Sequence, residues 1–305
     1  MPLRAPPAAT LARCALVCLV VAAQGWLLPV LRAHDTFFRV ASHDVSPEDE
    51  VEVSVFHGTF DESVMRLDAD HVERLFLVGP HGETDLGTGS WEQRPFDTRI
   101  GGLHESLRAT LGGIDRRLTS RFRVAVPQEG TFVVAMSLHP AGAAMNPEVF
   151  AAYLAEQGLQ DEPVARLAPT DPQAIITERW RKYVKLVLQS GPTRTDEVLR
   201  PLGLFVEFVP LAHPGSIGKG GELPLRLLRD GRPLPDQVVI VGRPKPAFRD
   251  PPPHLHLRSD ADGRVVVPID DDGVWWLGFV SITPAPEGDE VDWESHWATI
   301  TFSIP

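Results

Sequence analysis

Cysteine is scarce: Cys14 and Cys18 are the only two in 305 residues. Both lie in the apolar run CALVCLVVAAQGWLLPVL over 14–31. Arg4 and Arg13 stand before or within its start, and Leu31-Arg32-Ala33 closes it with a small residue last. A basic start, an apolar middle and a small residue at the end are the features of a secretory signal peptide, so cleavage after Ala33 is expected. Gln24, Gly25 and Pro29 interrupt the run, which does not suit a membrane-spanning helix. A chain cut there has no cysteine left. That excludes disulfides, thiolate catalysis and cysteine-bound metal from the mature protein. Exported without disulfides, it must draw its stability from core burial.

Basic charge is also short, with 29 Lys and Arg against 41 Asp and Glu. Removing residues 1–33 takes away Arg4, Arg13 and Arg32 and no acid, moving the formal charge from −12 to −15. An acidic body disfavours nucleic acid and anionic membranes and is compatible with handling cations. No second long apolar run occurs, so no stable membrane span is expected after cleavage. The nucleophile elbow G-x-S-x-G, the phosphate loop, the zinc motif H-E-x-x-H and the Rossmann glycines are all missing. An enzyme is therefore not expected, and a periplasmic or secreted binding protein is.

What the chain does have is turn residues, 29 prolines and 25 glycines, between short apolar runs. TFFRVAS, VEVSVFHG, ERLFLVGPHG, SRFRVAVPQEG and TFVVAMSLHP each have the form of a strand closed by a turn. In EVEVSVFH, Val51, Val53 and Val55 alternate with Glu50, Glu52 and Ser54. Asn146-Pro147-Glu148 carries a capping side chain, a proline at the first helical place and an acid in the first turn, which predicts a helix. Thr170-Asp171-Pro172 predicts a second, with Ile176, Trp180 and Tyr183 at helical spacing through ITERWRKY. From about Pro201 seven more strand-like segments follow, punctuated by Asp230-Gly231, Asp262-Gly263 and Asp272-Gly273. The expected fold is mainly β: two immunoglobulin-like or transthyretin-like antiparallel sandwiches joined by a short helical segment. The expected divisions are a signal peptide over 1–33, a sandwich over 34–140, a helical bridge over 141–197 and a second sandwich over 198–305.

Several stretches taken together carry a family likeness. AHDTFFRV follows the cleavage site, and HGTF ends the second strand. FAAYLAEQGL and ERWRKYVKLVLQSG come next, then LFVEFVPLAHP, RDGRPLPDQVVIVG, DADGRVVVPIDDDGVWWLGFV and DWESHWATITF. In order and spacing the chain resembles a bacterial exported family of unknown function whose members are often labelled as the nickel- or cobalt-uptake (NikM-like) component. The resemblance implies a periplasmic β-sandwich, a link to transition metals and a membrane uptake component as partner. It also implies an Ala-His-Asp start, matched here by Ala33, His34 and Asp35. His57 and His296 stand where the resemblance implies other residues, which implies no shared ligand role for them.

If cleavage follows Ala33, the α-amine and the imidazole Nδ1 of His34 belong to one residue and can chelate one ion. The α-amine has a reference pKa of about 7.7–8.0, so a metal can displace its proton near neutrality. Nitrogen ligands of this kind suit copper and nickel. Asp35 is a neighbouring acceptor able to orient a ligand imidazole. His254 and His256, two apart in HLHL, fall on one face of a strand and could hold a divalent ion with a third ligand. His43, His57 and His139 lie at strand ends that could approach His34. The expected function is an exported accessory that binds or relays nickel, cobalt or copper in uptake or homeostasis. The alternatives are an envelope interaction or carbohydrate-binding module without metal, and a copper-dependent polysaccharide oxidase, which also begins with histidine.

Overall fold

The computed structural model describes residues 35–63, 67–95, 118–245 and 254–305, all within one compact unit, Ala33–Pro305. The expected signal peptide and His34 lie outside the described residues.

The first strands are β1 (Asp35–Arg39), β2 (Asp44–Val45), β3 (Glu50–Gly58), β4 (Val72–Gly79), β5 (Gly82–Asp85) and β6 (Glu92–Pro95). They are followed by β7 (Leu118–Ala125), β8 (Gly130–Leu138) and β9 (Ala141–Met145), then helices α1 (Pro147–Glu156) and α2 (Pro163–Leu167). Next come β10 (Ile176–Ser190), β11 (Val206–Pro210), β12 (Glu222–Arg229), β13 (Arg232–Pro233) and β14 (Val238–Gly242). The last are β15 (Leu255–Arg258), β16 (Arg264–Pro268), β17 (Gly273–Pro284) and β18 (Trp293–Ile304). The protein is mainly β and sandwich-like, as the turn-rich sequence implied. No helix among the described residues is long and apolar enough to cross a membrane.

These strands form three sheets. One has the order β1-β3-β7-β6, and another groups β11, β12, β13 and β16. Between them runs a ten-stranded sheet with the order β15-β14-β17-β18-β10-β8-β4-β5, with β2 and β9 also on β10. The two sandwiches thus share one central sheet. Their junction is a parallel pairing of β10 with β18, in register from Glu178 opposite Trp293 to Leu186 opposite Thr301.

Successive side chains of a strand point to opposite faces, and β10 uses both. Tyr183 and Val187 join the core built with Val206, Phe208, Leu225 and Val265 of the C-terminal sheet. Val184, Leu186 and Leu188 join the core built with Phe38, Val53 and Phe122 of the N-terminal sheet. The buried ammonium of Lys185 pairs with Glu207 and donates to the Phe208 carbonyl at 2.9 Å, fastening β11 to β10. Glu207 also accepts from the backbone N–H of Leu202 at 2.9 Å and of Gly203 at 3.1 Å, so its charge is well served.

The expected helix through ITERWRKY is instead the first half of β10. Its buried face carries Glu178 and Lys182 after Ile176, and Thr177, Arg179 and Arg181 on the other face are partly exposed, so the alternation is there but does not read as apolar against polar. What is left, Ile176, Trp180 and Tyr183, matches a helical stripe by coincidence of spacing. The helix predicted from Asn146 does form: its Oδ1 accepts from the Val149 N–H at 2.8 Å, with Pro147 in the first turn. The helical content of 141–197 is therefore α1 and α2, flanked by strands β9 and β10.

A shared sheet predicts one unfolding transition for the compact unit. Leu186→Ala in one sandwich and Phe208→Ala in the other, both essentially unexposed, should each lower stability by about 2–5 kcal/mol. Equilibrium urea unfolding followed by circular dichroism and tryptophan fluorescence should show coincident curves in both variants. Two resolved transitions would contradict the shared sheet.

Candidate functional site

β1 pairs antiparallel with β3, placing Asp35 opposite Gly58 and Thr36 opposite His57. Its DTFFR sequence puts Phe38 into the N-terminal core, while Phe37 faces a separate cluster with Phe56, Phe60, Ile240 and Trp276. The Thr299 hydroxyl donates to the Thr36 carbonyl at 2.5 Å and ties the strand to the central sheet. Asp35 lies on the Phe37 side. A Cβ added to Gly278 of β17 would stand 4.0 Å from Asp35 Oδ1, so the glycine leaves room for the carboxylate. Residue 35 is partly exposed as a whole; its carboxylate takes a hydrogen bond from the Gln157 side chain, while its buried Oδ1 has no hydrogen-bond partner among the described residues.

Around this carboxylate the even-numbered residues of β10 build a polar box. Glu178 and Lys182 are both buried. The Lys182 ammonium lies between the rings of Trp180 and Trp297, at 5.0 and 4.8 Å from their centroids. Tyr153 of α1 stacks on Trp297 at 5.4 Å and donates its hydroxyl to Glu178 Oε1 at 3.2 Å. The Trp297 indole donates to Ser295 Oγ at 3.0 Å. Burial pushes Asp35 from 3.8 up to about 7, with Lys182 opposing and Glu156 reinforcing. Burial pushes Lys182 from 10.5 down to about 8, against the pull of Asp35 and Glu178. Glu178 is raised for the same first reason, its Ser295 and Tyr153 bonds working the other way. Two carboxyls and one ammonium leave the box short of positive charge whenever both acids ionise.

His256 lies on β15, an edge of the central sheet, and His254 directly precedes that strand. The His254 ring packs edge-on to Trp276 at 4.9 Å. Burial and the neighbouring His256 imidazole lower its pKa, which favours the neutral His254 ring. His256 stands opposite Ile240, which stands opposite Gly278. Two strand spacings, about 10 Å, therefore separate His256 from the backbone beneath Asp35. A Cβ on Gly158, which follows Gln157 at the end of α1, would lie 3.2 Å from His256 Nδ1. Asp35 and His256 thus share one face of the sheet without touching.

Of the other histidines, His57 is buried and its Nδ1 lies 2.9 Å from the Thr36 hydroxyl, beside the start of β1. His43 Nδ1 donates to the Val187 carbonyl at 2.8 Å, and burial lowers its pKa. His139 is exposed at the end of β8. Among the described residues, no three His, Cys, Asp or Glu side chains converge as a metal site. Sequence reasoning missed Glu178 and Lys182. Their signal was E-x-W-x-K, a period of two that lay hidden inside the helical stripe.

Residues 31–283 match the family described as Domain of unknown function (DUF4198), and the chain belongs to that family. No curated protein matches it. Among solved structures it is similar to the D0-D1 domain of intimin, at 6% identity and a TM-score of 0.18 over 87% of this chain and 96% of that one. It is also similar to the Escherichia coli adhesin FdeC (8%, TM-score 0.18, 88% and 64%). A third is the native conformation of E. coli alpha-2-macroglobulin (11%, TM-score 0.16, 89% and 17%). Likenesses this small carry no argument about what this chain does.

The box makes a pH-dependent prediction for the metal-free protein. Asp35 has a folded pKa above its unfolded value, so its contribution is complete below about pH 4 and lost as pH rises through about 7. Lys182→Met removes the cation that offsets this loss. It should cost about 3 kcal/mol at pH 8, where the orphaned carboxyls are charged, and much less at pH 5. Urea unfolding at both pH values checks it, and an equal cost at the two would contradict the ion-pair role.

Proposed function

We propose that this chain is an exported accessory protein that binds or relays a transition metal, nickel, cobalt or copper, in uptake or homeostasis. The anchor is the α-amine and imidazole of His34, with Asp35 as the adjoining oxygen donor or orienting acceptor. The observation that carries this reading is the buried Oδ1 of Asp35 at the head of β1, which has no hydrogen-bond partner among the described residues. A buried acceptor without a donor is costly unless something supplies positive charge to it. Residue 34 directly precedes it in the chain, and its amine and ring would supply nitrogen ligands beside that oxygen. The mature charge of −15 and the absence of cysteine from 34–305 fit a nitrogen- and oxygen-ligated divalent ion. A membrane component of metal uptake is the partner this reading implies.

A second reading is a metal-independent envelope interaction or carbohydrate-binding module. It is favoured by β15, an edge strand whose Leu255 is 40% exposed between the exposed His254 and His256. Edge strands offer unpaired backbone groups to another chain.

The two readings separate on one comparison. Mature protein beginning at His34 and a form with one extra amino-terminal residue are titrated calorimetrically with nickel, cobalt and copper. The metal reading predicts at least about tenfold weaker binding in the extended form, since one of the chelating nitrogens is lost. Equal affinity would exclude an amine-anchored site, and partner or glycan binding that survives His34→Ala would favour the second reading.

A further inference from the structure

The face of β10 that turns away from Asp35 carries a different cluster. Arg181, His296 and Ser281 stand side by side across β10, β18 and β17. One step inward the same rows hold Tyr183, Ala298 and Phe279, which belong to the C-terminal core. One step outward they hold Arg179, Glu294 and Thr283. Arg179 is neutralised there by Asp289 and Glu294. The middle row has no such balance.

Arg229 reaches this row from the end of β12, in the opposite sheet. One guanidinium nitrogen donates to Ser281 Oγ at 3.0 Å and the other to Thr283 Oγ1 at 3.4 Å. These side-chain partners are hydroxyls, not carboxylates. Arg181 has Glu73 at 3.6 Å and a hydrogen bond with the Tyr183 hydroxyl, and Glu73 also accepts from Ser137 Oγ at 3.1 Å. Between the two guanidiniums sits His296, its ring 4.3 Å from that of Phe205 and 6.2 Å from that of Tyr183. Its Nδ1 is buried and has no hydrogen-bond partner among the described residues. Burial, Arg229 and Arg181 together push its pKa down to about 4, so the imidazole is neutral at physiological pH.

From this geometry we propose that Arg229, Arg181 and His296 form a binding site for a small oxyanion group, a carboxylate or a phosphate. Guanidinium groups recognise both through planar paired donors. An oxygen of the ligand would accept from His296 Nδ1 and satisfy the orphaned atom, while its charge balances the two arginines. Phe205 and Tyr183 give the site an apolar wall, and the partial exposure of Arg181, Arg229 and Phe205 leaves it open to solvent. The site is on the opposite face of the sheet from Asp35 and does not depend on any metal.

The test uses chelator-treated mature protein at fixed ionic strength, with chloride as the background ion. Inorganic phosphate and acetate are titrated separately while the ring protons of His296 are followed by NMR. Saturable shifts are expected with one or both anions, and the one that saturates identifies the ligand chemistry. The His296 pKa should rise by about one unit or more on binding. Arg229→Gln and, separately, Arg181→Gln should weaken binding about tenfold or more. Failure of both anions to saturate in the parent protein would overturn the site, whatever the variants do. So would parent-like binding in both folded variants.

Discussion

The parallel hydrogen bonding of β10 to β18 is the constraint on which the rest of this molecule depends. Through it the sheets of both halves become one sheet with both faces covered. Because side chains alternate along β10, each face of the strand serves a different neighbourhood. Glu178 and Lys182 point into the polar box beside Asp35, while Arg181 and Lys185 point towards the C-terminal sheet. A one-residue slip of this strand would exchange the two sets and bury every charge against the wrong partners. Both proposed sites are therefore consequences of a single register.

The amino-terminal strand shows how opposing terms meet in one element. Phe37 and Phe38 are almost wholly buried, each contributing about 1.5–3 kcal/mol. Against this stands the burial of Asp35, which by its shift towards about 7 costs a few kcal/mol when ionised. The two effects are of similar size. The docking of β1 is thus balanced closely enough for its charge partners to matter. A proton, the Lys182 ammonium or a cation held at residue 34 each supplies what the carboxylate lacks. That balance links the stability of the strand to the ligand proposed for its head.

Part of the fold was legible in the sequence where a strand faces a core on one side only. Val51, Val53 and Val55 alternate with polar residues and are buried as the pattern implied. Trp275 and Trp276, adjacent on a strand, are both buried, in separate cores on opposite faces, where alternation alone implies that one of the two is in the core. The helix at Asn146 was legible from its cap. The first half of β10 was not, since its buried face carries Glu178 and Lys182 in place of apolar residues, and no local signal marks a parallel pairing between segments more than a hundred residues apart. Asp35 stood out through its place after the expected cleavage point. Its burial, and its company of Lys182, Glu178 and Tyr153, depended on that same hidden strand. His296 carried no motif at all; its environment arises from β12, β17 and β18 meeting β10.

The metal proposed at the amino terminus of the mature chain is tested most directly by paramagnetic broadening, which locates a bound ion. Substoichiometric copper(II) added to isotope-labelled mature protein should first erase the amide signals of Asp35, Thr36, His57 and Gly58, which share the head of β1 and its pairing with β3. Broadening centred on 254–258, with the signals of Asp35 and Thr36 intact, would contradict the claim.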